Sequence, residues 1–307
     1  AIYSYILTPS EIEKLSNNII KLLKVNYNKK NPNINEKDIL LITYADTIKS
    51  KKNKPLTILN DFLKNFIKNS INIVHILPYY PSSSDGGFAI TDFFKVDSKY
   101  GNWSDLKKIS KNYKIMSDVV LNHASSKSIW FKNFLKGKGK GKDYFLYYDK
   151  DINTKNVTRA RSHKLIQKFD TNKGKKYVWC TFSKDQVDFD FKNPDVLIVF
   201  IKLILFLQNK GIDFFRFDAV AFIWKRLDTS CINLDQTHAI VRLFRTILSF
   251  SNKCSKIITE TNLPFHENLS YFGNSDEAQI IYNFSLAPLI INTLVKGNSA
   301  AFRRWSM

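Results

Sequence analysis

Short β-rich apolar runs alternate with amphipathic segments along most of the chain, and this rhythm limits the possible folds more than any other feature. The runs lie at 39–44, 71–77, 115–121, 212–218, 256–259 and 279–283. Between them, residues 55–70 repeat at helical spacing (Leu59, Phe62, Leu63, Phe66, Ile67), as do 8–25, where Thr8 or Ser10 can cap the first turn. Helices are likewise expected at 103–113, 235–250, 266–272 and 286–295, and at 193–210, which has Pro194 in its first turn and Gly211 beyond its end. Apolar strands joined by helical crossovers build a parallel sheet covered on both faces. The expected fold is therefore α/β, a (β/α)8 TIM barrel with about six of its eight units present. The rhythm breaks at 124–191, a long polar stretch rich in aromatics. It reads as a subdomain inserted after the third strand and closing over a site. The expected division is 1–123 for strands 1–3, 124–191 for the insertion and 192–307 for strands 4–6, with the rest of the barrel and a C-terminal domain absent. A polar Asn- and Lys-rich linker occupies 26–37.

Composition narrows the function classes. The net charge of +20 suggests nucleic acid, but the lysines are dispersed from Lys14 to Lys296, and only 8 of the 47 basic residues are arginine. Arginine is favoured for bidentate phosphate and base recognition, so a solvated lysine surface is the better reading and no specific nucleic-acid partner is expected. The run KGKGKGK at 136–142 lacks the order of a phosphate loop and is expected to be a mobile solvated loop. Three cysteines without CxxC spacing indicate neither a disulfide framework nor a metal site. The most apolar segment, 196–207, is interrupted by Lys202 and is too short for a membrane span. With no secretory leader pattern at the N-terminus, a cytoplasmic location is expected.

The chemistry concentrates at strand ends. In GIDFFRFDAVAFIWK (211–225), Arg216 and Asp218 are two apart and leave a strand on the same face. The arginine is expected to hold the carboxylate ionised, as a covalent nucleophile requires. Taken alone, the pair reads better as a structural ion pair at a strand end; the rest of the chain turns the reading toward chemistry. Glu260 ends the next strand, and neighbouring strand ends can bring two carboxyls to ~5 Å, the separation of retaining glycosidases. Glu260, without an adjacent cation in sequence, is the better candidate for a raised pKa and an acid/base role. His123, after DVVLN, stands where barrel folds place their sites.

The segments ILPYYPSSSDGGFAITDFF, DVVLNH, FFRFDAVAF and IITETN resemble successive blocks of the α-amylase family, glycoside hydrolase family 13. The runs WKRLDTSCINLDQTHAIV and YFGNSDEAQIIYNFSLAPL are similar to its sucrose phosphorylase and glucosylglycerate phosphorylase branch. The resemblance implies Asp218 as nucleophile and Glu260 as acid/base. It implies Arg216 and His123 as sugar-binding residues at the cleaved bond, Asp85 as a ligand of hydroxyls on the far side, and Asp118 as an organiser of the strand end. It also implies a small α-glucoside substrate, no metal or organic cofactor, and inorganic phosphate as co-substrate. The family's third carboxylate, usually preceded by histidine, follows the seventh strand, and no Asp, Glu or His occurs here after Glu277. A fragment of a longer enzyme, a chain completed by a partner and a decayed relative all fit that departure. The functional alternatives are an α-glucoside hydrolase, an inactive fragment and a basic nucleic-acid binder.

Overall fold

A computed structural model describes residues 2–23, 34–68, 70–252 and 254–306, so most of the expected linker at 26–37 lies outside the described residues. The strands are, in chain order, β1 Leu40–Thr43, β2 Ile73–Ile76, β3 Lys114–Val120, β4 His123–Ser125, β5 Tyr147–Tyr148, β6 Ile166–Thr171, β7 Gly174–Trp179, β8 Gln186–Asp188, β9 Phe214–Asp218, β10 Lys256–Thr259 and β11 Ile280–Ile281. The helices are α1 Pro9–Leu22, α2 Pro55–Phe66, α3 Trp103–Ser110, α4 Ile129–Lys136, α5 Pro194–Asn209, α6 Asp235–Ser251, α7 Phe265–Leu269, α8 Leu286–Lys296 and α9 Ala300–Ser306.

Six strands form one sheet in the order β1-β2-β3-β9-β10-β11, every neighbouring pair parallel. This is the expected incomplete (β/α)8 barrel. Strands β2 and β9 are buried at every position, as strands sandwiched between a barrel interior and its helices must be. Helix α5 is buried along much of its circumference, from Val196 to Gln208. It starts where the Asn193 side chain accepts the Asp195 N–H with Pro194 following, and Gly211, at φ +89°, turns the chain into β9. Register sets the site. Asp118 on β3 lies opposite Arg216 on β9, Val120 opposite Asp218, and Phe217 opposite Thr259 on β10. The Glu260 N–H then donates to the Phe217 carbonyl at 3.1 Å, so Asp218 and Glu260 leave neighbouring strands at the same end of the sheet.

Residues 124–191 carry more regular structure than their sequence suggests. Strands β4 and β8 pair antiparallel, β5, β7 and β6 form a second small sheet, and α4 packs on it with Phe131 against Phe169 and Phe134 against Tyr147. The hairpin of β6 and β7 escaped the sequence reading because its buried positions are few and its outer face is polar. The KGKGKGK run carries two fixed points that its sequence did not suggest. Its first glycine, Gly137, caps α4 in a left-handed conformation, and Gly141 sits so close to Trp130 that a Cβ would lie 2.6 Å from the tryptophan Cβ. The run is solvated as expected along its four exposed lysines, but it is anchored at Gly137 and Gly141, because glycine alone permits that approach.

Candidate active site

Arg216 is the hub. Its Nη1 donates to Asp218 Oδ1 at 2.9 Å and to Asp118 Oδ1, its Nε donates to the Tyr282 hydroxyl at 3.1 Å, and its Nη2 lies 3.8 Å from Glu260 Oε1. Burial lowers the guanidinium pKa, but Asp118, Asp218, Tyr282 and Glu260 outweigh it and leave the pKa above its usual range, so the cation is permanent. Asp118 is fully buried and its Oδ2 meets His75 Nε2 at 2.9 Å, which fixes the arginine from below. One residue past Asp218 the backbone turns left-handed at Ala219 (φ +49°) and aims its N–H at Glu260 Oε2, 3.0 Å away. Strain of this kind is sparse in non-glycine residues and persists only where the surroundings enforce it.

A cavity of about 510 Å³ opens above this hub, and Asp85, His123, Arg216, Asp218 and Glu260 all line it. Asp118 lies beneath the wall, fully buried. Asp85 reaches the cavity from the turn after β2, where Gly87 (φ +106°) lies against the Pro78 carbonyl; a Cβ there would be 2.8 Å from that oxygen. Asp85 Oδ2 accepts the Gln186 amide at 2.7 Å, and the same Nε2 lies 3.1 Å from His123 Nε2. Burial pushes His123 down to about 4, with Lys225 lowering it further and Asp188 opposing. The imidazole is therefore neutral, with one ring nitrogen left as an acceptor.

Asp218 departs from the sequence expectation. Burial pushes its carboxyl up, to about 8, against the lowering effect of the Arg216 charge and hydrogen bond, while Glu260 and Asp118 add to the rise. The sequence could show the cation two residues away, but not that three carboxyls and little water share it.

Several cavity residues left no mark in the reading of the sequence: Phe182 and Gln186 from the insertion, Phe222 after β9, and Arg159 and Arg161 at the lip. The arginine pair did carry a signal, two of eight arginines set two apart in a chain that otherwise uses lysine. Among the described residues no cluster of three or more His, Cys, Asp or Glu could hold a metal ion, and no helix is long and apolar enough to cross a membrane.

The family model of an α-amylase catalytic domain matches residues 61–303, so the chain, with its parallel barrel sheet, belongs to the α-amylase family. It is 41% identical over 269 residues to the glucosylglycerate phosphorylase of Spirochaeta thermophila, covering 88% of this chain and 46% of the relative. It is 37% identical over 307 residues to the Escherichia coli (strain K12) glucosylglycerate phosphorylase, covering 99% and 55%. The crystal structure of sucrose 6F-phosphate phosphorylase from Thermoanaerobacter thermosaccharolyticum superposes with a TM-score of 0.76 at 27% identity, over 86% of this chain and 55% of that one. The chain thus spans about half the length of the curated relatives it matches.

Proposed function

We propose that the protein carries out retaining glucosyl transfer from a small α-glucoside, glucosylglycerate-like or sucrose-like, to inorganic phosphate. The observation that carries this reading is that Asp218 and Glu260, from neighbouring strands, share one guanidinium and line one cavity. Because burial holds the Asp218 carboxyl up at about 8, the attack on the anomeric carbon draws on its ionised fraction, which the Arg216 guanidinium stabilises; as the glycosidic C–O bond breaks, Glu260 gives its proton to the departing oxygen. A phosphate oxygen then displaces the Asp218 ester, its proton passing to Glu260, and glucose 1-phosphate leaves. Arg216 and His123 grip the sugar at the cleaved bond, Asp85 takes hydroxyls on its far side, and Asp118 holds Arg216 in place. Arg159 and Arg161 put cationic charge at the lip, where an incoming phosphate needs it, and this favours phosphate over water as acceptor. No step calls on a metal or organic cofactor.

The test is release of glucose 1-phosphate from glucosylglycerate and from sucrose by the full chain, with and without phosphate. Phosphate-dependent release is expected, and Asp218→Asn is expected to reduce it by at least about 1,000-fold, since it deletes the covalent nucleophile. Equal activity in the variant sinks the nucleophile assignment, sugar release without phosphate identifies a hydrolase, and no turnover at all identifies a silent fragment.

A further inference from the structure

Lys225 is 4% exposed, and its ammonium lies 2.6 Å from both Asp188 Oδ2 and Asn122 Oδ1. Asp188, fully buried, also accepts the Thr181 N–H at 2.9 Å, the Thr181 hydroxyl at 2.5 Å and the Asn122 amide at 2.9 Å. A buried ion pair is costly to desolvate, and apolar residues of similar volume often serve stability as well or better. Its location gives it a different use. Asn122 precedes His123 just past the end of the third barrel strand, Thr181 and Asp188 flank Phe182 and Gln186 in the insertion, and Lys225 lies just beyond the turn that follows the Asp218 strand. In the antiparallel ladder of β4 and β8, Asp188 stands directly opposite His123 and Gln186 opposite Ser125. The Asn122 amide also lies 3.4 Å from His123 Nδ1. Three cavity walls that are far apart in sequence therefore meet at one ammonium.

We propose that Lys225 is a positioning residue which, through Asp188 and Asn122, locks His123 and Gln186 against the wall after the Asp218 strand and so sets how tightly the site grips its sugar. The inference rests on the glucosyl-transfer reading for the identity of the sugar. Its direct readout is binding, not turnover. Interactions made equally in ground and transition state change KM and leave kcat nearly untouched.

The experiment is calorimetric titration of the full chain with glucose, beside urea unfolding and phosphorolysis kinetics. Lys225→Met alone leaves Asp188 buried without its counter-charge, so it is combined with Asp188→Asn; the freed Asn122 amide can then turn to accept from the new amide. The double variant is expected to unfold near the parental urea midpoint while binding glucose about 10- to 100-fold more weakly. The donor KM is expected to rise by the same factor with kcat little changed. Lys225→Gln, which keeps a donor toward Asn122, is the milder second variant and is expected to show a smaller loss in the same direction. Parental glucose affinity in either folded variant overturns the proposal, because the pair would then serve stability alone. A parent that binds no glucose overturns it together with the functional reading, whereas glucose binding without transfer sinks only the transfer chemistry.

Discussion

At the scale of single residues, Asp218 concentrates the conflict between folding and chemistry. Its carboxyl is buried among Arg216, Glu260 and Asp118, and burial pushes it up to about 8 from an ordinary carboxylate value near 4. Between those values the folded protein holds a proton that the unfolded chain has released, so stability from this group falls as pH rises from about 4 to about 8. Below about 4 both states are protonated and the slope vanishes. Asp218→Asn keeps the shape without the ionisation. It is expected to raise the unfolding midpoint by about 3 °C or more at pH 8 and by much less at pH 4, as differential scanning calorimetry at the two pH values would measure. A variant no more stable than the parent at pH 8 contradicts a burial-dominated site. The identity of this residue was legible in the sequence, because the spacing of Arg216 and Asp218 on a strand places both on one face. Its protonation was not, because Asp118 and Glu260 come from other strands.

At the scale of elements, the insertion shares the barrel's aromatic core, with Trp130 and Phe189 packed against Phe93 and Phe189 against Phe200, and Asp185 adds a polar clamp to the turn after β2. Asp185 accepts from Ser83 and Ser84 at 2.5 Å each, from Ser126 at 2.6 Å and from Ser125 at 3.3 Å. Burial raises this carboxyl, but the serine hydroxyls outweigh it and hold the net value below the ordinary carboxylate range. The stability it supplies is therefore present above about pH 4 and lost as pH falls through the lowered value. Asp185→Ala is expected to cost about 1–3 kcal/mol in urea unfolding at pH 7, and less at pH 3. It is also expected to raise the sugar KM, since Ser84 precedes Asp85. Such a clamp leaves no local signature: Ser83 and Asp185 are 102 residues apart. The barrel strands, by contrast, announced themselves through apolar run length, and their helices through period and caps, to within a few residues at each end.

At the scale of the molecule, the six-stranded sheet has two edges, β1 and β11, that carry no further strand among the described residues. The β1 edge shows apolar side chains to solvent, Ile42 at 51% and Ile39 at 53% exposure. Unpaired edges with apolar surface template association. A polypeptide of these 307 residues is expected to self-associate with rising concentration, and Ile42→Lys to reduce this markedly without changing the unfolding free energy by more than about 0.5 kcal/mol. Light scattering across a concentration series measures it, and unchanged association in the variant would show that the β1 edge is not the sticking surface. The +20 net charge opposes such association only weakly at physiological salt, because lysines spread over the surface are screened within about 8 Å.

The order of strands and helices, the barrel class and the candidate pair Asp218 and Glu260 were determined by the sequence alone, since each depends on local period, strand-end position or spacing within one element. The tertiary structure alone decided that one guanidinium serves Asp118, Asp218 and Tyr282, that burial outweighs that cation at Asp218, and that Lys225 gathers three cavity walls. Those facts depend on distances between segments remote in the chain and on how much water remains between them, quantities that only the packed fold defines.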